Sequence, residues 1–250
     1  MKPPDGLYLD LIKKVLTNMI YEDPPVPNGW VPGTAYDDVN RRLGLDWPAV
    51  AHTMVGLRRL DNVQCCAEQV IREDVPGDFI EAGVWRGGVC IFMRAVLAAH
   101  GVTDRRVWVA DSFQGMPGSD SLTYADDRAL GLDAHNDVIA VPLATVQRNF
   151  DLYGLRDGQV RFLPGWFGDT LPAADIGTLA ILRLDSDLYE STMTALTYLY
   201  PRLAPGGFTI VDDYHMPVCR AAVHNYRDEN GIDDPIIDID GLGAYWRRSR

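Results

Sequence analysis

Long apolar runs are missing from this 250-residue chain. None approaches the roughly 18 residues that a membrane-spanning helix needs, so no membrane association is expected. The opening MKPPDGLYLD places prolines and acids where a secretory signal would carry a basic start and an apolar core, which argues against export. Positive charge is also scarce, with 23 Lys and Arg against 35 Asp and Glu and a formal net charge of -12. Such a balance repels phosphate backbones, and the one dense basic cluster, Arg247-Arg248-Ser249-Arg250, is terminal. Nucleic acid is therefore not an expected partner. Cys65, Cys66, Cys90 and Cys219 lack the paired spacing of a zinc site, and buried thiols in a reducing cytoplasm are the expectation.

What remains is a composition that is 47% hydrophobic, enough for one full core. In residues 7–20, Leu7, Leu11, Val15 and Met19 fall on one helical stripe with Tyr8, Ile12, Leu16 and Ile20 beside it. This predicts a helix ended by Pro24 and Pro25, with an apolar face suited either to a homo-oligomer or to packing on its own domain. Residues 21–47 are rich in proline, glycine and acids, and a second helical stretch is predicted over 48–71. Residues 1–75 thus read as an N-terminal helical region, and 76–250 as the α/β domain. From Pro76 onward strands and helices alternate, with strands near 78–82, 107–111, 159–163, 179–185, 207–212, 235–239 and 243–247. The last two are too close for a helical crossover and should pair antiparallel. This is the pattern of an α/β class I methyltransferase, a Rossmann-like seven-stranded sheet with a terminal antiparallel hairpin and an N-terminal helical extension. Residues 115–142 are long, polar and weakly periodic, which suggests a lid.

Two acidic clusters follow strand-like runs: LAILRL leads into Asp185-Ser186-Asp187, and GFTIV into Asp212-Asp213. One helix-length crossover separates them, so the carboxylates should meet at one edge of a parallel sheet. They would repel one another without a cation, and an all-oxygen set suits magnesium, manganese or calcium. Asp185, Asp212 and Asp213 are assigned to the metal. Asp187, on the same face as Asp185 if the strand continues, is assigned as general base. The structural alternative is that these acids cap a helix or face solvent. Upstream, the strand FIEA enters Gly83-Val84-Trp85-Arg86-Gly87-Gly88, which departs from the G-x-G-x-x-G of a dinucleotide site. S-adenosylmethionine carries no phosphate and suits such a turn, with Glu81 receiving its ammonium group and Asp111 its ribose hydroxyls. A glycine turn is weak evidence by itself; its order with the strands and Asp111 strengthens it. His100 and His224 fit structural positions in helical patterns, whereas His52, His135 and His215 remain open as substrate contacts.

On EAGVWRGG (81–88), WVADSFQGMP (108–117), LATVQRNF (143–150), VRFLPGWFGDTLP (160–172), LRLDSDLYEST (182–192) and LAPGGFTIVDDY (203–214), the chain resembles the macrocin O-methyltransferase (TylF-type) family. DWPAVAHTMVGLRRLDN (46–62) is similar to the family's segment that closes over the cofactor, which implies that residues 1–75 cover the site and that 76–250 form the cofactor-binding catalytic domain, with its lid at 115–142. The resemblance implies magnesium-dependent methyl transfer from S-adenosylmethionine to a deoxysugar hydroxyl of a glycosylated natural product. It places Glu81, Gly83, Asp111, Ser112, Thr53 and Met54 on the cofactor, with Gln147, Gly165, Trp166 and Phe167 around its adenosine. It also implies Mg2+ on Asp185, Asp212 and Asp213, and Asp187 as base. Trp166 and Phe167 have an equally ordinary reading as core aromatics. Two rival readings are a catechol or phenol O-methyltransferase, whose relatives carry Asp-Asn at 212–213, and a non-catalytic cofactor-binding protein, which the clustered acids disfavour.

Overall fold

The computed structural model describes residues 4–27 and 33–249. Residues 1–3, the stretch 28–32 and Arg250, the last of the terminal basic cluster, lie outside the described residues. No helix among the described residues is long and apolar enough to cross a membrane. Helices α1 (Pro4–Leu16), α2 (Asp38–Leu43) and α3 (Leu57–Arg72) precede β1 (Asp78–Ala82), α4 (Gly88–Ala99) and β2 (Val107–Asp111). Short helices α5 (Ala125–Leu130) and α6 (Asn136–Ile139), then α7 (Leu143–Leu152), lead to β3 (Val160–Pro164), α8 (Phe167–Thr170) and β4 (Leu179–Leu184). The chain continues through α9 (Tyr189–Leu199), β5 (Leu203–Val211), α10 (Pro217–Glu229), β6 (Ile237–Asp238) and β7 (Ala244–Arg247).

Among the described residues these strands form one seven-stranded sheet in the order β3-β2-β1-β4-β5-β7-β6. Strands β1 to β5 are parallel, and β7 runs antiparallel to both β5 and β6. The expected class I methyltransferase sheet, with its closing hairpin, is the observed fold. Every side chain of β4 is buried, which is why LAILRL shows no alternation: helices cover both faces of the sheet. One core joins α1, α3 and α4 to the sheet through Leu16, Val63, Ile91 and Phe208. The opposite core packs Leu196 of α9 and Val223 of α10 against Leu182 and Trp246. Strand order reverses between β1 and β4, and the crevice outside their carboxyl ends is where α/β sheets bind ligands.

The structure differs from the sequence expectations at several local points. Helix α1 ends at Leu16, ahead of the prolines: the Thr17 hydroxyl donates back to the Lys13 carbonyl at 2.9 Å, and Asn18 turns left-handed at φ 50°. Leu9 and Leu16 face the core while Leu7 and Leu11 are more than half exposed, at 55% and 53%. The buried face is Leu9, Lys13 and Leu16, which matches neither expected stripe, since Tyr8 and Ile20 of the second are exposed as well; packing on α4 sets which side turns inward. The second helix begins at Leu57 instead of 48. Residues 48–56 are held outside a helix by nonlocal donors and acceptors. Arg86 Nη1 donates to the carbonyls of Pro48 and Ala51 at 3.1 and 2.8 Å, and Asp23 accepts from the Val50 and Ala51 N–H groups at 2.6 and 3.2 Å. Asp23 is in turn paired with the buried Arg41, which also binds Asp46. Cys65 is exposed on α3, against the expectation of uniformly buried thiols. Strand β5 begins at Leu203, and its pairing with β4 shifts register between Leu179 and Ile181.

Gly83 shows how closely the two central strand ends approach. At φ 88°, a Cβ there would lie 1.7 Å from the Asp185 carbonyl oxygen. Gly83→Ala is expected to cost more than about 2 kcal/mol in urea denaturation; an unchanged midpoint would show that β1 and β4 separate at little cost.

Candidate active site

The strand ends open into a cavity of about 690 Å³. Its floor is Gly83, Val84, Asp111 and Ser112 on one side and Asp185, Asp187, Asp212 and Asp213 on the other. Trp47, Met54 and Arg59 contribute from the N-terminal region, Met116, Leu122 and Leu130 from the 115–142 stretch, and Trp166 and Phe167 from the turn after β3. That stretch contains α5, α6 and two 3-10 turns, at Ser119–Ser121 and Leu132–His135, in place of an irregular loop.

Asp185, Asp212 and Asp213 each offer an oxygen within 4.8 Å of the others. Asp185 follows β4 and Asp212 follows β5; the Asp212 N–H donates to the Leu184 carbonyl at 2.8 Å, which extends the ladder to the acids. Burial, followed by the charges of Asp187, Asp185 and Asp212, pushes the Asp213 carboxyl well above its ordinary range. Burial and Asp212 also raise Asp185. Burial acts on Asp212 in the same direction, but Arg59 and Arg183 outweigh it and hold this carboxyl below its usual value. Raised acids packed so closely, all with oxygen donors, fit a hard divalent cation. Asp187 does not continue the strand: it sits at φ 57°, a left-handed turn that Asp tolerates. Its N–H donates to Asp213 Oδ2 at 3.1 Å. Burial and the charges of Asp185 and Asp212 push its carboxyl up to about 8.

Glu81 departs from the role expected of it. Only 1% exposed, it does not line the cavity; one carboxylate oxygen pairs with Arg183 and the other accepts from the Cys90 thiol at 2.8 Å. Its geometry makes it a counterion within the sheet, and burial raises it to about 7. Asp111 does face the cavity, but both oxygens also serve the fold, accepting from the Val84 and Phe113 N–H groups at 2.7 Å each. Burial nevertheless raises its carboxyl. Gly87 and Gly88 make room for protein: a Cβ at Gly87 would meet Val146 of α7 at 2.6 Å, and one at Gly88 the His52 carbonyl at 2.4 Å. Met54, Ser112, Trp166 and Phe167 line the cavity as expected, whereas Thr53, Gln147 and Gly165 do not. Thr53 is buried, with its hydroxyl accepting from the Val55 N–H at 3.1 Å. The Gly165 N–H donates to the Asp111 carbonyl at 2.9 Å. Among the histidines only His215 lines the cavity. His52 meets the Tyr153 hydroxyl at 2.8 Å, and His135 packs edge-on to Trp47.

The sequence model of the macrocin O-methyltransferase (TylF) family matches residues 27–248. The chain belongs to that family. As a TylF-family member it is an O-methyltransferase. It is 61% identical over 243 residues, covering 97% of this chain and 93% of the relative, to the 8-demethyl-8-(2,3-dimethoxy-alpha-L-rhamnosyl)-tetracenomycin-C 4'-O-methyltransferase of Streptomyces olivaceus. It is 53% identical over the full length of both chains to the mycinamicin III 3''-O-methyltransferase of Micromonospora griseorubida. The solved O-methyltransferase NovP superposes with a TM-score of 0.94 at 54% identity, covering 98% of this chain and all of that one, 100%. The calicheamicin methyltransferase CalS11, at 22% identity and a TM-score of 0.55 over 99% of this chain and 94% of that one, shares the fold.

Two arginines hold the carboxylates at this cavity in place, and neither is among the residues expected from sequence. Arg183, in the middle of the sheet and fully buried, pairs with Glu81 on β1, with Asp185 at 2.9 Å and with Asp212 after β5. Its signal was visible: one charge inside LAILRL demands buried partners. Arg59 of α3 reaches the second oxygen of Asp212 and lies 3.2 Å from Asp240. Nothing local announced it.

Removing one member of a buried ion network strands the others, so Arg183→Met should cost roughly 3 to 5 kcal/mol in chemical denaturation. A loss near zero would mean that Glu81, Asp185 and Asp212 need no counterion. The pH dependence has a definite sign. Asp187 keeps its proton to about pH 8 in the fold and loses it near pH 4 when unfolded. The folded chain then binds more protons across that window, and stability without cation falls as pH rises from about 4 to about 8. Thermal unfolding in chelator should show this decline, and magnesium should flatten it; identical slopes with and without the ion would remove the cation from the carboxylates.

Proposed function

We propose that the protein transfers a methyl group from S-adenosylmethionine to a deoxysugar hydroxyl of a glycosylated natural product, with magnesium on Asp185, Asp212 and Asp213. The observation that carries this reading is the convergence of three close carboxylates and Asp187 on a cavity that Gly83 and Asp111 share. The relatives named for a rhamnosyl-tetracenomycin and for mycinamicin III supply the acceptor class. Met54, Ser112, Trp166 and Phe167 would contact the cofactor beside Gly83 and Asp111, with residues 1–75 covering the catalytic domain 76–250. The apolar wall of Met116, Leu122 and Leu130 suits the body of a large acceptor and keeps water from the reacting face.

When bound, S-adenosylmethionine would supply the methyl group and the cation a positive charge that favours the deprotonated acceptor. Asp187 takes the acceptor's proton. Its raised carboxyl becomes a usable base near neutral pH once positive charge offsets Asp185 and Asp212. Arg59 and Arg183 hold both oxygens of Asp212 in place. Positioning acceptor and donor in one cavity can account for roughly 7 to 11 kcal/mol of the barrier.

The test is S-adenosylhomocysteine production on rhamnosylated polyketides, macrolide glycosides and aminocoumarin glycosides, with matched catechols, in magnesium or chelator. Magnesium-dependent product on a glycoside is expected; turnover that survives chelation, or appears only on catechols, overturns the reading. Asp187→Asn should lower turnover by about a hundredfold or more while sparing cofactor affinity. Near-normal turnover would exclude it as base. Asp213→Asn tests the metal more cleanly than any change at Asp212, which also holds two arginines. Its expected signature is weaker magnesium activation with the fold intact.

A further inference from the structure

The 115–142 stretch and α9 are tied together at two helix starts. Asp127 of α5, only 1% exposed, accepts from the Tyr189 and Glu190 N–H groups at 2.7 and 2.9 Å. These are first-turn donors of α9, which no intrahelical carbonyl can satisfy. Glu190 in return accepts at Oε1 from the Thr123 and Tyr124 N–H groups, and from the Thr123 hydroxyl at 2.6 Å, just ahead of α5. Neither helix caps itself: the N-cap positions Tyr124 and Leu188 make no side-chain cap bond. Each start therefore takes its carboxylate from the other element. The Tyr124 and Tyr189 rings stack across the same seam, 4.1 Å between centroids and 13° from parallel. Beneath it Leu122 and Leu132 pack with Leu188 in a small core of their own. Arg128 stiffens the near side by donating to the Leu122 and Thr123 carbonyls at 2.8 and 3.0 Å.

The seam's location gives it a role. Leu188 directly follows Asp187, and Glu190, Ser191 and Thr194 line the cavity together with Leu122 and Leu130. Asp127 does not line it, and neither carboxylate bonds to Gly83, Asp111 or the 48–56 segment. The lid is thus fixed to the helix that leaves the catalytic loop.

We infer that Asp127 and Glu190 form a reciprocal capping latch that holds the lid against α9, and that Asp127 is a positioning residue for the methyl acceptor, not for the cofactor. The acceptor half of this inference rests on the proposed methyl transfer to a glycoside. The latch itself does not.

The experiment is amide hydrogen exchange on the full-length protein without ligands, followed by steady-state kinetics with the best glycoside found. In Asp127→Ala, amides of residues 119–139 and the first turn of α9 should exchange about five- to tenfold faster, as the loss of a helix cap allows. Acceptor KM should rise by about the same factor, while S-adenosylmethionine affinity stays within about twofold. Asp127→Asn, which keeps one acceptor oxygen, should recover part of both effects, and Asp126→Ala, on the exposed side of α5, should show neither. Combining Asp127→Ala with Glu190→Ala should add little exchange beyond either single variant, because one half of a reciprocal cap falls with the other. Unchanged exchange over 119–139, or acceleration spread equally through β1 and β4, would overturn the latch. Local acceleration with an unchanged acceptor KM would overturn the positioning role. If no acceptor is turned over at all, the methyl-transfer reading fails by itself, and the exchange measurement still decides the latch.

Discussion

A single guanidinium holds the centre of this molecule together. Arg183 lies at the middle of the sheet with no solvent exposure, and its partners come from β1, from the end of its own strand and from the end of β5. Stripping water from such a charge is expensive, and only several well-placed carboxylates offset that cost. The same arrangement brings acids of three neighbouring strands to one edge. Arg59 adds a second cation from a distant helix. Two guanidinium groups do not balance Glu81, Asp185, Asp187, Asp212 and Asp213, and burial first, with that excess charge behind it, raises the carboxyls of Asp185, Asp187 and Asp213. Sheet assembly and site chemistry are therefore one electrostatic problem.

The glycine turn after β1 is a second shared constraint. Gly83 lets the β4 end approach, Gly87 admits α7, and Gly88 admits the backbone at His52. The residues between them grip the two covering segments: Trp85 Nε1 donates to the Val138 carbonyl at 3.0 Å, and Arg86 holds Pro48 and Ala51. A turn that looks in sequence like a ligand loop is equally a mooring for two distant segments of the chain.

What could be read from sequence follows from how local its cause is. The parallel strands and closing hairpin were legible because apolar runs, their lengths and the short 240–242 connection are local. Asp185, Asp212 and Asp213 were legible because each sits at or just beyond a strand end, where the fold class fixes its position. The role of Glu81 was not, since its partner Arg183 is 102 positions away. Arg59 reaches Asp212 across 153 positions. The turn at Asp187 was missed because strand alternation was extended past Leu184, where the ladder ends. The inward face of α1 depended on α4, and the start of α5 on a carboxylate from α9; neither is encoded in the segment that adopts it.

The edges of the sheet carry a different consequence. On one side β6 is two residues long; on the other, β3 ends in Pro164, which has no N–H to offer a neighbour. Exposed strand edges are the usual template for runaway β-aggregation, and short or proline-ended edges remove it. The sheet therefore ends in a two-residue strand on one side and a five-residue strand closed by proline on the other, which leaves little length for strand-by-strand growth.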